Sequence, residues 1–269
     1  MRAYVSAVYL FLYAPIALIV LFSFNSGRYA ADLQGFSVAW YGKALGNPFV
    51  VEALRTSLIV GLSSAVLATL FGTMAAIGLQ SVRGPLRALF DGLVYVALMI
   101  PGIVIGIATL VALVSVFELL NPLVAALWPG ALGAAPQLQL GLGSLIAAHT
   151  LFTMALAILI VRARLAGMDR SLVEASMDLY ATPWGTFRQI TLPQLMPAIV
   201  ASLLLAFTFS FDDFVIAFFV AGANTTLPIY VFSSIRRGVT PEINAIGTMV
   251  LAVSLLLMVA AQLLLRRRR

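Results

Sequence analysis

The chain has 269 residues, 62% hydrophobic and only 10% charged, with a formal charge of +6. A soluble domain typically carries about 25% charged residues, so composition excludes a soluble enzyme or binding module and predicts a single membrane domain over residues 1–269. Cysteine is absent, which removes disulfides, thiol catalysis and Cys-ligated metals; no metal site is expected, and the lone His149 in an apolar run reads as a helix-packing residue.

The apolar runs extend for about 20 residues or more, the length a helix needs to cross the hydrocarbon, and lack the shorter alternating segments of a barrel. An all-α polytopic membrane protein with six spans follows. The first span is read over residues 3–24, retained rather than cleaved. A polar segment over 25–55 holds Trp40, Tyr41 and Phe49, read as interfacial anchors. The second span covers 56–79. The third covers 88–117, interrupted at Pro101-Gly102, and an uncharged loop with Pro122, Trp128-Pro129-Gly130 and Pro136 follows. The fourth covers 142–161, the fifth 196–221 and the sixth 243–265. Placing the amino terminus inside puts eleven of the sixteen basic residues in inner segments, from Arg2 and Arg83 to the Arg266–Arg269 tail. The positive-inside rule then predicts both termini in the cytoplasm. Arginines at helix ends orient a membrane protein, so the net charge does not point to nucleic acid.

Between spans four and five lies a polar, punctuated stretch, Glu174 to Pro193. Ser171 and Glu174 have the spacing of a capping box and predict a short helix to about Ala181. Thr182 can cap a second helix with Pro183 in its first turn, where a missing N–H costs nothing. That helix is expected to run to about Thr191, with Leu192-Pro193 ending it. The product is a two-helix bracket over 171–193 on the cytoplasmic side. The only lysine is Lys43, outside any G-x-x-x-x-G-K-[ST] loop, so this chain is expected to bind no nucleotide and hydrolyse none.

Span five carries Asp212 and Asp213 about halfway along. A carboxylate at the centre of a membrane helix costs about 2.5–3.5 kcal/mol on insertion scales. On a continuous helix the two point about 100° apart, so at most one faces a passage squarely. No Lys or Arg lies in the predicted membrane interior to neutralise them, and an external cation can do so. Phe209, Phe214 and the neighbouring Phe207, Phe211 and Phe218 offer ring faces to such a cation. The competing reading is that the carboxylates bond to Ser202, Thr208 or Ser210 and that the rings are lipid-facing bulk. Gly102-x-x-x-Gly106 is a candidate close helix contact.

The bracket resembles the "EAA" motif of ABC-importer permeases: Glu-Ala-Ala, three residues, Gly, nine residues, Ile-x-Leu-Pro. Glu174-Ala175-Ser176 opens it, Tyr180 stands at the glycine position, and Ile190, Leu192 and Pro193 close it. The whole chain is similar to permeases of spermidine/putrescine-type importers, including Ser210-Phe211-Asp212-Asp213. The resemblance implies the type I importer permease fold, with the bracket as coupling helix against a cytoplasmic ATPase. Glu174 is then the charged contact, and Ala175 and Ser176 are small enough for close approach. It implies a bacterial inner membrane location and no cofactor in this chain, ATP and Mg residing on a dimeric ATPase partner. A second, homologous permease and a periplasmic or lipid-anchored binding protein complete the complex. The solute path is assigned to Asp212, Asp213, Ser210, Phe209 and Phe214, for polyamines or similar organic cations. Alternatives are an ABC permease for another small solute and a stand-alone ion-coupled transporter or channel.

Overall fold

A computed structural model describes residues 1–29, 32–130, 133–169 and 171–266, with side chains undescribed at 2–3 and 257–266. It is helical throughout, and among the described residues strand geometry is confined to one isolated bridge between Asn25 and Phe36. The helices are α1 (Arg2–Ser23), α2 (Ala39–Gly46), α3 (Pro48–Gly78), α4 (Pro85–Met99), α5 (Gly102–Leu127) and α6 (Leu142–Ala166). After them come α7 (Ser171–Asp178), α8 (Pro183–Thr186), a π turn (Phe187–Thr191), α9 (Leu192–Asp212), α10 (Val215–Val220), α11 (Leu227–Ile235) and α12 (Pro241–Arg266). Among the described residues five helical stretches are long and apolar enough to cross a membrane: 4–23, 48–78, 102–127, 142–166 and 183–212. α12 covers the predicted sixth span with 26 residues, about 39 Å at 1.5 Å per residue.

Several boundaries differ from the sequence reading, beginning with the second span, whose helix starts at Pro48 rather than at 56. The predicted third span is two helices. Ile100 is extended at ψ 134° before Pro101, as the clash of a proline ring with the preceding residue demands, and α5 alone is long enough to span. Pro122, assigned to a loop, lies inside α5. Leu192-Pro193 does not end a helix; the chain stays helical through the π turn into α9, where the Leu192 N–H reaches back five residues to the Phe187 carbonyl. In an α ladder the Pro193 ring would collide with the carbonyl four residues earlier, and the wider turn relieves that clash. Span five breaks at Asp213, which is extended at ψ 121°.

The chain divides into two compact units, residues 55–228 and residues 1–54 with 229–269. In the first, α6 packs along α9, α4 and α10, and α10 lies on α5. Small residues permit this closeness. A Cβ added at Gly72 would lie 2.7 Å from the Ala157 Cβ, and one at Gly106 would lie 2.7 Å from the Phe219 ring. Gly106 thus makes the close contact expected of the Gly102-x-x-x-Gly106 pair, and its partner is α10. Buried clusters of Leu79, Val94, Ala155 and Ile158, and of Ala76, Val161 and Leu195, fill the seams. Asp91 of α4 meets Arg162 of α6 at 2.5 Å, neutralising the one acid of that seam.

In the second unit α12 packs against α1 and α2. Asn25 is fully buried and donates to the Tyr29 and Asp32 carbonyls at 3.1 and 2.8 Å while accepting from the Gln34 amide. Its side chain therefore shapes the loop that follows α1. Tyr41 bonds Ser23 at 2.7 Å and packs on Phe24, and Trp40 lies beneath the Lys43 ammonium. Asn47 donates to the Tyr230 hydroxyl and to the Glu242 carboxylate at 3.2 and 3.0 Å.

Candidate functional site

The bracket begins at an acid. The Asp169 carboxylate accepts the Ser171 amide at 2.9 Å, and Ser171 is itself the first residue of α7. Asp169 thus braces the start of α7 from two residues upstream, while Arg170, at the cap position just before the predicted box of Ser171 and Glu174, lies outside the described residues. Hydrogen bonds from Ser171 hold the Asp169 carboxyl below its ordinary pKa. At the other end the Tyr180 amide bonds the Met177 carbonyl and the Ala181 amide bonds the Ser176 carbonyl, the paired closure of a Schellman motif. That closure needs a left-handed residue, and Tyr180 adopts φ +60°. Glycine is ordinarily used there because it lacks a Cβ to strain. The Tyr180 ring is 96% exposed, so the glycine position of the motif is a matter of backbone conformation, and the phenol stands clear of the bracket. The capping of the second helix by Thr182 is as expected, its hydroxyl accepting the Gly185 amide at 3.1 Å.

Ser176 is buried and bonded to the Thr186 hydroxyl at 2.9 Å. It fastens α7 to α8 and is mostly turned inward, while Ala175 beside it is exposed. Glu174 and Ala175 are exposed, Ile190 and Leu192 are half-buried, and Pro193 is exposed. Leu172, Met177, Leu179 and Trp184 are exposed as well, and Trp184 stacks on Phe187. The bracket thus presents an apolar surface with Glu174 and Asp178 among it.

The second feature is the break in span five. The two acids do not lie on one continuous helix, and the 100° argument fails for that reason. Asp212 ends α9 and is exposed; Asp213 is in the gap and half-buried. The Asp213 carboxylate accepts the Ala217 amide at 3.0 Å, satisfying one of the amides that a helix start leaves without an internal partner. The same oxygen lies 3.6 Å from Nε2 of His149. Nδ1 of that ring is 2.7 Å from the Ser210 hydroxyl, which is 2.8 Å from the Ser64 hydroxyl. A buried polar line therefore joins α3, α6, α9 and the break. His149 is buried in the helix packing as read, with polar neighbours the reading did not include, and Asp213 has an internal partner that a search for Lys and Arg could not find. Ser210 is buried as part of this line, while Phe209 is exposed and Phe214 half-buried. Phe209 meets Phe152 edge-on and Phe214 packs on Phe218. The signal for His149 was faint: one histidine in an apolar run, with Ser210 and Asp213 spaced one helical turn apart.

Residues 68–269 match the sequence model of the binding-protein-dependent transport system inner membrane component family. The chain belongs to that family. This transport component is 35% identical over 264 residues to the spermidine/putrescine transport system permease protein PotC of Escherichia coli K12, covering 98% of this chain and 92% of that protein. It is 39% identical over 244 residues to the putrescine transport system permease protein PotI of the same strain, covering 90% and 82%. Among solved structures it resembles a chain of a bacterial ABC transporter that imports the polysaccharide alginate, with TM-score 0.72 at 16% identity over 98% of this chain and 92% of that one. It also resembles a chain of the inward-facing methionine transporter MetNI, with TM-score 0.60 at 16% identity over 80% and 94%. The fold is that of ABC-importer membrane subunits, and the chain is a multi-pass membrane protein.

Proposed function

We propose that this chain is the permease subunit of an ATP-driven importer for polyamines or similar organic cations. The observation that carries the reading is its 35% identity to PotC across 98% of the chain. The bracket, on the cytoplasmic side with both termini, docks on a separate ATPase dimer holding ATP and Mg. Glu174 supplies the charged contact, and the exposed Leu179, Tyr180 and Trp184 supply apolar area. Binding protein delivers the solute to the opposite face, and a second permease completes the passage. Movement of the ATPases is transmitted through α7 and α8 to α9 by the unbroken helical stretch from Pro183 to Asp212.

The break supports a cationic solute on physical grounds. α9 ends at Asp212, so its last carbonyls lack helical partners and its dipole places partial negative charge there. Half-helix carboxyl ends of this kind hold cations in other transporters. The Asp212 carboxylate adds a full charge at the same place, and the exposed Phe209 ring lies nearby in sequence on the same helix.

The test is transport and ATPase activity of the complex reconstituted with its ATPase, second permease and binding protein, with spermidine and putrescine as solutes. Glu174→Ala is expected to abolish solute-stimulated hydrolysis. Asp212→Asn is expected to retain hydrolysis while raising the polyamine KM at least tenfold. Uptake of solute by the purified chain with no ATPase present would overturn the reading.

A further inference from the structure

The buried line at the break fixes where its protons sit. The Ser64 hydroxyl has one hydrogen and gives it to the Val60 carbonyl at 2.6 Å. Ser64 therefore accepts from Ser210, whose single hydrogen is then used. Ser210 can only accept at its remaining short contact, so Nδ1 of His149 carries a proton and donates it to Ser210. The neutral ring then offers a bare Nε2 lone pair to the Asp213 carboxylate at 3.6 Å. Nε2 is buried without a hydrogen-bond partner, and His149 is 2% exposed. Two acceptors facing each other repel, and the buried Nε2 would lack a donor, whereas the Asp213 oxygen keeps the Ala217 amide. One proton between them, on either atom, turns the contact attractive.

We propose that His149 is a positioning residue that shares one proton with Asp213, holds it in the wall of the break, and leaves Asp212 as the carboxylate presented to solute. The pair carries no net charge when it holds that proton. The break then shows one negative charge, enough to favour a cation and too little to trap it. This rests on the proposed reading of Asp212 as a solute contact. The groups that meet His149 are Ser210 of α9, Asp213 in the break and, through Ser210, Ser64 of α3.

The experiment uses the assembled complex. Spermidine KM and turnover are measured for His149→Leu, His149→Gln, Asp213→Asn and the double variant His149→Leu/Asp213→Asn. His149→Leu strands the Asp213 charge, and KM is expected to rise at least tenfold with ATPase association retained. His149→Gln keeps a donor toward Asp213 but brings no titratable proton, and its KM is expected to fall between wild type and His149→Leu. The double variant removes both members and is expected to recover at least fivefold over His149→Leu, a rescue that a packing defect would not show. Because this chain has no cysteine, Asp212→Cys is its one thiol and is labelled with a cationic water-soluble thiosulfonate in a complex whose other subunits are made cysteine-free. Its labelling rate is expected to change at least fivefold on adding His149→Leu and by less on adding His149→Gln, which keeps a donor. If His149→Leu fails to assemble, Ser210→Ala replaces it, with the same direction expected. Unchanged labelling and KM in His149→Leu, or a double variant no better than it, would overturn the proposal. If labelling depends on residue 149 while spermidine is neither moved nor protective, the positioning role stands and the polyamine reading falls.

Discussion

Tyr180 adopts a backbone conformation that disfavours every side chain with a Cβ, at about 1–2 kcal/mol, yet it closes the helix on which the bracket depends. Replacing it by glycine relieves that strain and returns about half to the greater freedom of the unfolded chain. Tyr180→Gly is therefore expected to slow amide exchange in 171–182 by two- to fivefold, read by hydrogen–deuterium exchange on the complex. Faster exchange would mean that the exposed ring makes a stabilising contact. Asp169 adds a pH dependence to the same helix. Its folded pKa lies below the unfolded value, about 3.9, so its contribution is present above that value and is lost as pH falls through the folded one. Protection of the first turn of α7 is expected to be constant above about pH 5 and to decline below about pH 4, after correction for intrinsic exchange. At the break the two acids separate by role. Asp213→Asn is expected to lower the melting temperature of the complex, because a partner and a helix cap are weakened together, whereas Asp212→Asn is expected to leave it within about 1 °C.

At the scale of elements, the bracket and span five form one mechanical piece. The π turn of Phe187–Thr191 holds an extra residue between Pro183 and Asp212. Deleting Gln189 restores α spacing, presses the carbonyl four residues before the proline back onto its ring and kinks the junction between α8 and α9. The variant is expected to reach the membrane and retain its fold while losing solute-stimulated ATPase activity; full stimulation would show that bracket orientation is not transmitted through α9. The Thr182 cap was legible because a capping hydroxyl and a proline in the first turn act within one turn of chain. The continuation through Leu192-Pro193 was not, because it depends on a change of hydrogen-bond register that no residue type announces. The split of span three was half legible. Pro101-Gly102 marked the place, and the extended Ile100 decided that it is a break rather than a bend.

Over the whole molecule, close approach between helices sets what the sequence tolerates. Gly106 gives α10 its seat on α5, with the Phe219 ring where a Cβ would point. Gly106→Val is expected to overpack this seam and cost about 1–3 kcal/mol, visible as a lower melting temperature and reduced recovery of the assembled complex. Gly92, where an added Cβ would meet nothing within 4 Å, is the control: Gly92→Ala is expected to be neutral or stabilising. Packing of this kind matters here because lipid tails are as apolar as leucine, so the hydrophobic effect does not drive helices together and van der Waals contact and buried polar bonds must.

The chain alone determined its all-α, membrane-spanning class, the places of its long apolar runs and the capped helices of the 171–193 stretch. Those are one-dimensional properties: an apolar run long enough to cross a bilayer, a cap within one turn, a motif of fixed spacing. Tertiary structure decided the partners. His149 and Asp213 are 64 positions apart in sequence and 3.6 Å apart in space, and Ser64 and Ser210 meet across 146 positions. No local pattern specifies such pairs, because they follow from which helix faces pack. The same packing turned Ser176 inward onto Thr186 and left Asp212 outward at the end of α9. Of two adjacent carboxylates, one became structural and one stayed exposed because the helix stops between them, and it stops where a side chain from the chain's only histidine reaches the second.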